Sequence, residues 1–116
     1  GQGVPVSLKA AELAAADGIS CEVIDLRSIR ALDEAAIIQS VKKTNRAVAV
    51  YHGWPYGGVG GELVARIQDL AFDDLDAPVA RVCYEDVPMP YAENLENLII
   101  PSPERAYEAI KRVLYK

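Results

Sequence analysis

Apolar positions along this chain recur at two different periods, and the switches between them mark out the elements. Residues 6–16 read VSLKAAELAAA, a run of good helix formers with Leu8, Ala11 and Ala15 on one stripe, and Asp17-Gly18 supplies a C-terminal stop. The segment CEVIDL, Cys21 to Leu26, is short and rich in β-branched residues, which predicts a strand. Asp33 then opens DEAAIIQSVKKT, acidic in its first turn and basic in its last, the order that the helix dipole favours.

A nearly unbroken apolar run follows in RAVAVY, Arg46 to Tyr51, as expected of a strand covered on both faces. After the turn-forming HGWPYGG, residues Val59 to Phe72 carry Leu63, Ile67 and Leu70 at helical spacing. Pro78 stops that helix, and VARVC, Val79 to Cys83, predicts a third strand. The proline-bearing stretch Glu85 to Asn97 cannot stay regular for long. Ser102 and Pro103 begin a last amphipathic helix, with Tyr107, Ile110 and Leu114 along one face.

Strands alternating with helices of this length imply a mostly parallel sheet between two helical layers, a three-layer α/β/α sandwich. The chain nevertheless begins on a helix. Residues 1–7, starting GQGVPV, read as an added tail or a truncated first strand, and residues 8–116 as one domain.

Composition narrows the functions open to such a domain. With 116 residues, 51% of them hydrophobic, a core can be buried without disulfides or metal. Seventeen acidic residues against twelve basic ones give a net charge of −5, which repels a phosphate backbone, so nucleic acid is not expected as a partner. Cys21 and Cys83 lie far apart, outside any CxxC or Cys/His spacing, and read as buried structural thiols. No stretch reaches the roughly 20 apolar residues of a membrane helix, and no signal-peptide pattern opens the chain. A soluble protein of a reducing compartment is expected.

The richest stretch for chemistry is HGWPYGGVGGE, His52 to Glu62, which leaves a buried strand and enters a helix, where open α/β sheets place ligands. Gly57, Gly58, Gly60 and Gly61 could present N–H groups to an anion. However, the spacing is not GxGxxG, Walker residues are lacking, and Glu62 would oppose a phosphate. Close backbone packing, or a turn needing positive φ, is the preferred reading. His52, the sole histidine, has no orienting carboxylate nearby in sequence, so a loop role is preferred over acid–base catalysis.

Trp54 and Tyr56 suit either an interface or a cap on the domain's own core. In DVPMPYAENLE, Met89, Tyr91 and Leu95 would project from a stiff loop, either as a docking surface or as packing over the sheet. Asp69, Asp73, Asp74 and Asp76 lack a calcium-loop pattern and read as a solvated face. No catalytic, cofactor-binding or metal-binding residue is assigned.

Taken together, CEVIDLRSIRALD, AVYHGWPYGGVGGELVARI, AFDDLDAPVARVC and DVPMPYAENLE resemble, in order and spacing, the C-terminal domain of pyruvate dehydrogenase beta subunits, which is itself similar to the last domain of transketolase. The resemblance runs from about Leu8 to Lys116 and implies a five-stranded, mainly parallel sheet whose usual first strand is absent or replaced here. It also implies a non-catalytic assembly and docking domain of a thiamine-diphosphate-dependent 2-oxoacid dehydrogenase. Thiamine diphosphate and magnesium would belong to the complete enzyme, which decarboxylates a 2-oxoacid and passes the acyl group to lipoyl groups, and not to this domain. The implied partners are an alpha subunit, a second beta subunit and the subunit-binding domain of a dihydrolipoyl acyltransferase; the implied location is a bacterial cytoplasm or an organelle matrix. The sequence departs from the family's common residues at Ala31, His52 and Gly61, which leaves pyruvate, branched-chain and acetoin enzymes open. The alternative reading is a freestanding flavodoxin-like module that binds a small anion or nucleotide at the glycine turn.

Overall fold

The computed structural model describes residues 3–26, 33–53, 59–84 and 100–116. In chain order the elements are helix α1 (Gly3–Ala16), helix α2 (Glu34–Thr44), strand β1 (Val48–Val50), helix α3 (Val59–Ala71), a 3-10 turn (Phe72–Asp74), strand β2 (Ala80–Val82) and helix α4 (Pro103–Val113).

The helix ends follow from local chemistry. Gly18 takes φ 79°, and the amides of Gly18 and Ile19 donate to the carbonyls of Ala15 and Ala14, so the end of α1 is closed by a Schellman motif. Asp33 caps α2, its Oδ1 accepting from the Ala36 amide at 3.1 Å. At the other end Asn45 adopts φ 66° and donates its amide to the Val41 carbonyl. Ser102 caps α4 in the same way through the Arg105 amide, with Pro103 in the first turn. The last turn of α4 repeats the Schellman pattern with Tyr115 in the left-handed position, at φ 59°.

β1 and β2 pair in parallel, Val48 opposite Ala80 and Val50 opposite Val82. The bonding continues past the strand ends: the Tyr51 amide donates to the Val82 carbonyl at 3.0 Å, and the Tyr84 amide to the Gly53 carbonyl at 2.9 Å. Parallel pairing requires a long crossover, and α3 supplies it. Consecutive strand residues point to opposite faces. Val50 turns towards Gly3 of α1 and Tyr51 towards Gly60 of α3, so the sheet is covered on both faces. On one side α1 packs chiefly against α4; on the other α2 packs against α3. The α/β architecture read from the sequence is therefore present.

The core between α2, α3 and the sheet consists of Ile37, Val41, Ile67, Ala71 and Val79, with Leu26, Ala47, Leu63 and Val64 packed around it. On the other side, α1 contributes Ala10 and Ala14 and α4 contributes Ala106, Ala109 and Val113, all buried. Small residues on both helices allow their backbones to approach closely.

Several expectations are corrected. Cys21–Leu26 joins no strand among the described residues. Its burial does alternate, Cys21 and Val23 half-buried and Glu22 and Ile24 exposed, but alternation sets an extended backbone and not a ladder partner. The segment is instead tied to α2, where Glu22 accepts from Ser40 Oγ at 2.6 Å and from Lys43 Nζ at 3.5 Å. Residues 3–5 belong to α1, which starts earlier than Val6, and a Cβ on Gly3 would lie 2.9 Å from the Val50 carbonyl oxygen.

Three helix faces are also rotated from expectation. Leu8 is 52% exposed, on the side of α1 opposite Ala10 and Ala14. In a helix with alanine all round, apolar spacing hardly distinguishes one face from another, and contact with α4 makes the choice. Along α4 the buried stripe runs through Ala106, Ala109 and Val113, leaving Tyr107, Ile110 and Leu114 half-buried beside it. On α3 the buried stripe is centred on Gly60, Ile67 and Ala71, so Leu70 falls past its edge and is 51% exposed.

Candidate functional site

The open α/β rule directs attention to the carboxyl ends of the parallel strands. There, among the described residues, β1 runs out into Tyr51, His52 and Gly53, β2 runs out into Cys83 and Tyr84, and α3 begins with Val59, Gly60 and Gly61. The strand ends are held together by the bond from Tyr84 to Gly53.

Tyr51 packs directly on Gly60. Any Cβ at position 60 would overlap the Tyr51 ring, so the first turn of α3 needs glycine for close approach and not for an unusual backbone angle. Gly61 has open space where a side chain would go. The Tyr51 phenol is shifted up by burial and by the neighbouring Cys83 thiol, with Arg81 acting in the opposite direction. Cys83 is buried and Cys21 half-buried; both are free thiols, and partial burial pushes Cys21 up.

His52 meets Tyr84 edge to face, with ring centroids 6.0 Å apart at 84°. Its Nδ1 is buried without a hydrogen-bond partner among the described residues, and desolvation lowers its pKa. Such burial favours the neutral imidazole near pH 7. Among the described residues, the contact of the His52 ring is this packing against Tyr84.

At the start of α3, the Glu62 carboxylate accepts from Arg66 Nε at 2.9 Å, and Arg66 also pairs with Glu34 of α2. This ion cluster holds Glu62 on the helix flank and ties α2 to α3. A glutamate in the first turn satisfies the helix dipole internally and weakens the appeal of this end to an anion. No group of three or more His, Cys, Asp or Glu gathers as a metal site among the described residues. None of the described helices is long and apolar enough to cross a membrane.

The interface candidates Trp54, Tyr56, Met89, Tyr91 and Leu95 lie outside the described residues, as do Gly57 and Gly58. The structure instead joins Asn45 and Arg46, to which the sequence reading gave no role, with Asp74 and Asp76 of the acidic group read as a solvated face. At the opposite end of the strands, Arg46 Nε donates to the Val113 carbonyl at 2.9 Å and its guanidinium approaches Asp76 at 3.8 Å. Beside it, Asn45 Nδ2 donates to the Asp74 carbonyl and the Asn45 carbonyl accepts from the Asp76 amide. The only sequence signal for this knot was an Asn-Arg pair between a helix and a strand, where Asn commonly takes the left-handed cap.

Comparison with known proteins gives a consistent result. The family model for the transketolase C-terminal domain matches residues 1–106. A pyruvate dehydrogenase E1 component subunit beta of Rickettsia conorii is 50% identical over 112 residues, covering 97% of this chain and 34% of that protein. The mitochondrial subunit beta of Dictyostelium discoideum is 50% identical over 106 residues, 91% of this chain and 30% of that protein. Subunit beta-1 of Arabidopsis thaliana, also mitochondrial, is 52% identical over 113 residues, 97% of this chain and 31% of that protein. The chain thus spans about a third of the length of the curated relatives it matches. With the family match running through α1, both strands, α3 and the start of α4, this chain belongs to the transketolase C-terminal domain family.

Proposed function

We propose that this chain is a non-catalytic assembly and docking domain from the beta subunit of a pyruvate dehydrogenase-type 2-oxoacid dehydrogenase. The observation that carries the reading is identity near 50% over almost all of the chain to proteins named pyruvate dehydrogenase E1 component subunit beta. The complete enzyme uses thiamine diphosphate with magnesium to decarboxylate a 2-oxoacid and transfer the acyl group to lipoyl groups. The partners of the domain are the alpha subunit, a second beta subunit and the subunit-binding domain of a dihydrolipoyl acyltransferase. Trp54, Tyr56, Met89, Tyr91 and Leu95 are the side chains assigned to those contacts. Bacterial and mitochondrial relatives support a cytoplasmic or organelle-matrix location.

The packing at the strand ends fits this reading better than that of an anion-binding module. Tyr51 covers Gly60, and the Glu62 carboxylate in the first turn of α3 disfavours an anion there. Co-expression of the full beta chain carrying this domain with the alpha subunit of the same genome tests the proposal. A stable alpha–beta complex is expected, with thiamine-diphosphate-dependent pyruvate decarboxylation and capture of the acyltransferase subunit-binding domain. Failure of the two chains to associate, together with strong thermal stabilisation of this domain by a nucleotide, would overturn it.

A further inference from the structure

We draw no further inference here: the strongest candidate, the exposed Leu70 and Phe72 at the end of α3 with Asp69, Asp73 and Asp76 beside them in sequence, is an apolar patch for which nothing in the structure shows what covers it.

Discussion

The Tyr51 ring lies against the Cα of Gly60, leaving no room for a side chain between the end of β1 and the first turn of α3. Two adjacent glycines therefore have opposite sensitivities. Gly60→Ala must push the ring or the helix aside and is expected to cost about 1–3 kcal/mol, the range for overpacking. Gly61→Ala meets open space in a helix and is expected to stabilise by roughly 0.5–1 kcal/mol. Thermal unfolding of the two variants checks the contrast; equal melting temperatures would refute the close packing.

The alanine faces of α1 and α4 define a second pair. Ala10 is fully buried, whereas Leu8 is on the exposed side of the same helix. Ala10→Leu is expected to destabilise by about 1–3 kcal/mol through forced separation of the helices. Leu8→Ala should stay within about 0.5 kcal/mol, as surface changes usually do. Urea midpoints decide this, and a large loss for Leu8→Ala would mean that α1 is rotated from the described packing.

Arg46 joins the start of β1 to the last turn of α4. Its replacement by alanine leaves the half-buried Val113 carbonyl contact unmade and is expected to cost about 1–3 kcal/mol, since hydrogen bonds from charged donors are the stronger ones. Asp76 is 58% exposed and 3.8 Å from Arg46, so Asp76→Asn should cost less than about 1 kcal/mol. Chemical denaturation of both variants measures the ratio. Equal costs would place the weight on the ion pair and not on the carbonyl.

Among the described residues, two other than glycine occupy the left-handed region, with different justifications. Asn45 gains a bond from its Nδ2 to Asp74 and tolerates that backbone. Alanine there loses both advantages, while glycine keeps the backbone, so Asn45→Ala should be the worse of the two substitutions. Tyr115 is largely exposed. Tyr115→Gly is accordingly expected to stabilise by about 0.5–1 kcal/mol through relief of the positive φ. Melting temperatures of the three variants supply the test.

His52 makes the fold pH-dependent in one direction. Desolvation lowers its folded-state pKa below the ordinary 6.5, so the unfolded chain takes up the proton first as pH falls. The contribution of His52 is complete above pH 6.5 and declines as pH drops from 6.5 towards the lower folded-state value. His52→Gln should flatten that part of the stability curve, and an NMR titration of the imidazole should give a midpoint below 6.5. A midpoint above it would require an acidic partner for the ring.

Much of this protein was set by local chemistry. Asp33, Ser102, Pro103 and the Asp17-Gly18 stop bound their helices as read, because caps act within a few residues of chain. The two apolar runs became paired parallel strands, because a continuous apolar stretch can be satisfied only between two covered faces. The family blocks likewise span contiguous residues, so membership was legible. Among the glycines, the preference for close packing proved right at Gly60, but the partner, Tyr51, could be named only once β1 and α3 were seen together. The faces of α1 and α4, the exposure of Leu70 and the tie of Glu22 to α2 were tertiary decisions. In each of them the choice depends on which surface arrives from elsewhere in the chain: alanines admit any helix rotation until a neighbour fixes it, and a polar side chain such as Glu22 finds its partners only when a distant helix is packed beside it.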